Sequence, residues 1–142
     1  MEDIDRIDYL LAEGGLPVFI ELAEELASQA RVKIIQEPSA CLVMMQVFET
    51  VQGHHFNLGE VLITECAVEI EGTYVQGFAL GDEPQRALCA ALLKGAIAGK
   101  HPLAPKILSV FAEQENTIQQ RKKTEFSLVA RTRVDFEVMD HI

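Results

Sequence analysis

Few residues of this chain have the types and spacing that chemistry needs. His54 and His55 are adjacent, and imidazoles suit metal binding or proton transfer near neutral pH. Adjacent side chains of a strand point to opposite faces, so the pair shares one ion only if it lies in a turn. No Cys, Asp or Glu stands nearby at ligand spacing, and a hydrated turn is the plainer reading. Cys41, Cys66 and Cys89 lie 25 and 23 residues apart in apolar stretches. That odd number, without a CxxC pair, suggests packed free thiols in a reducing compartment. Ser39, Ser109 and Ser127 lack the glycine setting of a nucleophile elbow. Glu60, Thr64, Glu65, Glu69 and Glu71 fall along one segment and would line a cleft or a solvated sheet face. Arg131, Arg133 and Asp135 follow a polar stretch and precede apolar Val134 and Phe136. Two arginines two apart share a face of extended chain, where they suit a phosphate or the carboxylates of another chain.

The elements that would carry these residues give an α+β domain. Apolar spacing predicts helices over 1–14 and 18–30, read as an N-terminal helical hairpin broken at Gly14-Gly15. Segment 31–81 reads as an antiparallel meander of about four strands. The first ends at Pro38, and Ala40–Val51 is apolar enough to be buried on both faces. Turns are expected at 52–55 and at Gly72-Thr73. Segment 82–130 is helical, with Asp82 and Gln85 forming a capping box and Ala87, Ala90, Ala91 and Ala96 allowing close approach to the sheet. A long helix from Lys106 to about Ala130 has a polar middle, Glu113–Glu125, with little to bury. The tail, 131–142, alternates as a short strand free to pair with a neighbour.

The chain has 142 residues, 49% of them hydrophobic, which fits one domain with a full core. Its net charge of −10 opposes binding to nucleic acid or an anionic membrane. The acidic start is unlike a secretory signal, and a cytoplasmic location is expected.

Three stretches resemble the PhnG family, a subunit of the bacterial carbon–phosphorus lyase core complex. They are Phe56–Val68 with its Gly59-Glu60 start, Gly77-Phe78-Ala79-Leu80-Gly81 leading into an Ala-rich helix, and Thr132–Met139 with Arg133-Val134-Asp135-Phe136. The resemblance implies assembly with PhnI-, PhnH- and PhnJ-like chains, associated with PhnL/PhnK-like ATPases. It implies support for displacement of adenine from ATP by a phosphonate, giving ribose 1-phosphonate 5-triphosphate. ATP and the iron–sulfur and S-adenosylmethionine chemistry would then sit on the partners. This chain would be a required, non-catalytic subunit, with Glu60, Thr64, Arg131, Arg133, Val134, Asp135 and Phe136 as interface candidates. Two rival readings are a small stand-alone metal or acid/base enzyme using His54 and His55, and a homo-oligomeric structural protein. Self-association of the isolated chain is expected even under the first.

Overall fold

The computed structural model describes residues 2–131. The elements run α1 (Glu2–Glu13), α2 (Leu16–Gln29), β1 (Val32–Glu49), β2 (His54–Ile70), β3 (Thr73–Leu80), α3 (Pro84–Ala98) and α4 (Ala104–Arg131). The strands form one antiparallel sheet in the order β1-β2-β3, so the α+β reading holds with three strands instead of four. Pro38 does not end a strand. The register jumps between Ile34 and Gln36 and again between Gln36 and Ser39, and these bulges absorb the proline on the free edge of the sheet. A missing N–H is tolerated there because no ladder bond is lost. The β2–β3 turn is Glu71-Gly72, with φ of 47° and 83°. Positive φ at both central residues matches the natural twist of a hairpin, one residue earlier than the sequence suggests. The anticipated terminal strand, with Arg133, Val134, Asp135 and Phe136, lies outside the described residues.

The core sits between the sheet and α3, flanked by the other helices. Val68, Ile70 and Cys66 of β2 meet Ala87, Ala91 and Leu93 of α3, and all are essentially buried. Small residues permit this approach: a Cβ on Gly77 would overlap the Ala87 carbonyl and come within 2.7 Å of the Ala91 nitrogen. α2 packs mainly on α3, whereas α1 is shared equally between α3 and α4. Phe19 of α2 meets Phe111 of α4 edge to face, 5.8 Å between ring centres. The Arg86 guanidinium donates to the carbonyls of Leu11 (2.8 Å) and Gly14 (3.1 Å), which closes the end of α1 from a distant part of the chain.

The anticipated Asp82 cap is replaced by another device. Helix α3 begins at Pro84, after Glu83, with no capping side chain of its own. Thr64, 1% exposed in β2, accepts from the Glu83 N–H at 2.9 Å and donates to the Gly81 carbonyl at 2.6 Å. One hydroxyl therefore pins the sheet-to-helix corner. Thr64→Val keeps the shape but strands a donor and an acceptor, and is expected to cost about 1–3 kcal/mol in chemical unfolding.

Candidate partner interface

The β1–β2 pair is longer than the layer that supports it. Strand β3 pairs with β2 from Ile70–Thr73 to Ile63–Leu80, and Gly81 adds one bond to the Leu62 carbonyl at 2.8 Å. The β1–β2 ladder instead continues out to Glu49–His54. Beyond Leu42 and Leu62 the hairpin is therefore a two-stranded arm, about seven residues or roughly 23 Å long on each strand. A two-stranded ribbon alone is marginally stable in water and needs something against one of its faces.

Its composition makes that need acute. From Ser39 to Phe48 there is no charged residue. The sequence reads this stretch as buried on both faces, but the described residues do not bury it. Leu42, Phe48 and Leu58 are 61%, 54% and 62% exposed, and Met44, Met45 and Phe56 are also exposed. Side chains alternate between faces along a strand, so both faces of the arm present apolar groups. The face of the sheet turned away from α3 adds Tyr74, Phe78 and Leu80, on alternate residues of β3. Opposite Phe78 and Tyr74 lie Glu65 and Glu69 of β2, which put two carboxylates on the central strand of this face. The exposed apolar groups of the arm exceed the scattered exposed side chains of an ordinary monomer and make it the candidate interaction surface.

The residues singled out from sequence fall in different places. Glu60 is exposed on the arm, opposite Met44. Thr64 is committed inside the fold. Arg131 is exposed at the end of α4. Glu65 accepts a 3.3 Å bond from the Gln36 amide, and Glu71 accepts from the Arg31 N–H at 2.9 Å. His54 and His55 open β2 in a strand, not in a turn, which occupies 50–53. They point to opposite faces, and the His55 ring lies 4.9 Å from that of Phe48. Among the described residues no group of three or more His, Cys, Asp or Glu is placed to hold a metal. Within the described residues, no helix is long and apolar enough to cross a membrane.

The polar middle of α4 is held against α1. Arg6 pairs with Glu115, Arg121 with Glu13 at 3.0 Å, and Lys122 reaches the Tyr9 hydroxyl. Ile118 is the last buried residue of the helix. From there Phe126, Leu128 and Val129 stand well exposed, forming a second apolar feature.

Two of the three thiols, Cys66 and Cys89, belong to the core as expected, whereas Cys41 is only partly buried. Cys66 is buried and donates to the Ala87 carbonyl at 3.3 Å; burial pushes its pKa up. Burial raises Cys89 to about 11 despite the opposing Arg86 charge. In the folded state both protons are held more tightly than in the unfolded chain. This contribution to stability is complete below the unfolded thiol range, near 8.5, and is lost as pH rises towards about 11 for Cys89. Iodoacetamide should therefore label Cys41, the partly exposed thiol, quickly. Cys66 and Cys89 should be labelled only as the chain unfolds, a difference that peptide mass mapping checks.

A surface of apolar arm residues rather than charged side chains was legible as a composition but not as a location. The signal was an unbroken apolar strand with no polar alternation. A family model described as phosphonate metabolism protein PhnG matches residues 6–140. No individually curated protein matches the chain.

Proposed function

The chain belongs to the PhnG family of phosphonate-metabolism proteins, and from that membership we propose that it is a required, non-catalytic subunit of a carbon–phosphorus lyase assembly. The observation that carries this reading is the arm, apolar on both faces and exposed among the described residues. A PhnI-like chain is the expected occupant of the arm and of the open sheet face, with PhnH- and PhnJ-like chains in the same complex. Burying a large apolar side chain contributes roughly 1.5–3 kcal/mol. Four or five such side chains are enough for stable association after the entropic costs of docking and ordering. The assembly would form ribose 1-phosphonate 5-triphosphate from ATP and a phosphonate, the reacting groups lying on the partners. This chain would shape and hold them, through the arm, Glu60, and the segment that begins at Arg131 and includes Arg133, Val134, Asp135 and Phe136.

Co-expression with PhnH-, PhnI- and PhnJ-like chains, followed by size exclusion and mass determination, tests the reading. A stoichiometric complex is expected, and a chain that elutes alone would sink it. Removal of residues 131–142 is expected to leave a folded domain, with unchanged far-ultraviolet circular dichroism, that no longer co-purifies with the PhnI-like chain. Co-purification of the truncated chain would remove the tail from the interface.

A further inference from the structure

The arm has an edge as well as faces, and the edge specifies its own kind of partner. β1 is the outer strand of the sheet, and no described strand pairs with its outer side. The register is regular from Ser39–Glu65 to Met45–Gly59, between the bulges near Pro38 and the shift after Met45. The Leu62 carbonyl receives the Gly81 N–H on the β3 side. In an antiparallel ladder the backbone groups of successive residues alternate sides. Leu62 therefore faces away from β1, and its partner Leu42 faces away from β2. By the same alternation Ala40, Leu42 and Met44 direct their N–H and C=O groups outward. Most edges carry a charge, a proline or a bulge that blocks pairing. Here Pro38 and two bulges lie before Ser39 and a third shift follows Met45, which leaves Ser39–Met45 regular and uncharged.

We propose that two copies of this chain pair edge to edge through β1, antiparallel about a twofold axis at Leu42, joining two three-stranded sheets into one of six strands. That axis sets Leu42 against Leu42, and Ala40 against Met44 on either side. About six backbone hydrogen bonds form, two per bonded pair. Symmetry places Leu42 directly against its own copy, so a charge at that position would repel itself. In a chain of net charge −10, this uncharged stretch lets two copies approach. The faces of the arm remain open to the partner described above, so the dimer goes beyond the subunit reading. An edge pairing buries less than the roughly 1,200–2,000 Å² of a tight interface, and dissociation in the micromolar range is expected.

Sedimentation equilibrium of the isolated full-length chain tests this, with Leu42→Pro, Leu42→Lys and Phe78→Lys beside the wild type. Leu42→Pro removes an outward donor and no β1–β2 bond, and should raise the dissociation constant at least tenfold. Leu42→Lys sets like charges face to face and should do the same, which decides the matter if the proline variant does not fold. Phe78→Lys should leave the dimer intact. A wild-type chain that stays monomeric, or a dimer lost with Phe78→Lys but kept with both Leu42 variants, overturns the proposal. Protection of the Leu42 amide in such a monomer would assign the edge to residues 132–142 of the same chain. Failure to co-purify with PhnI-like chains bears only on the subunit reading, because self-association is read on the chain alone.

Discussion

Gly77→Ala is expected to lower stability by about 3 kcal/mol or more, the upper range for overpacking. A domain of this size loses roughly 2–4 °C of melting temperature per kcal/mol, so a fall on the order of 10 °C should appear in a thermal scan. The new methyl meets backbone atoms, the Ala87 carbonyl and the Ala91 nitrogen, which cannot swing aside as a flexible side chain would. α3 must lift from the sheet, opening contacts with Val68 and Cys66 that are otherwise essentially closed to water. Alanine at Gly53 makes a sharp comparison. Nothing lies within 4 Å of a Cβ there, so only the left-handed backbone at φ 70° is penalised, about 1–2 kcal/mol. Equal losses at the two positions would mean that the close approach of α3 and β3 is not what Gly77 provides.

The second large effect concerns association. Phe78→Lys combined with Phe56→Lys is expected to weaken capture of the PhnI-like chain at least a hundredfold while leaving the melting temperature within a few degrees. Both rings are roughly half exposed in the isolated chain, so the fold loses little. Large aromatic anchors that become fully desolvated typically account for 2 kcal/mol or more each at an interface, and a buried ammonium without a partner adds a further cost. Titration calorimetry with the purified partner reads this directly. Wild-type affinity in the double variant would place the partner elsewhere, with the exposed end of α4 the next surface to change.

How much of this was readable in advance depended on whether the deciding interaction was local. The break at Gly14-Gly15 is set by neighbours in sequence, and it falls where α1 ends at Glu13 and α2 begins at Leu16. The lying-down of α3 on the sheet was likewise announced by its alanines. Pro38 misled because a proline stops a strand only where its N–H is wanted, and whether a strand is at an edge is a property of the whole sheet. Asp82 and Gln85 formed a plausible cap, but Thr64, some twenty residues earlier, reached the corner first. The arm was the opposite case. An apolar run such as Ala40–Phe48 does indicate burial, but sequence cannot say which molecule does the burying. For His54 and His55, moving the turn by two residues was enough to put the two rings on opposite faces.

Helix α4 continues for 13 residues past Ile118, its last buried residue, which at about 1.5 Å per residue is roughly 20 Å of lever. Its bearings on the protein are of two kinds. Phe111 and Ile118 fix one side by apolar contact, while the other is steadied by Arg6–Glu115, Arg121–Glu13 and Lys122–Tyr9. Surface pairs of this kind are worth about 0–1 kcal/mol each and are screened within roughly 8–10 Å at physiological salt. A small rotation at such a bearing is multiplied at the tip. The direction in which Arg131 is carried is thus set partly by ionic strength, and a partner that grips the far end can turn the helix without disturbing the core.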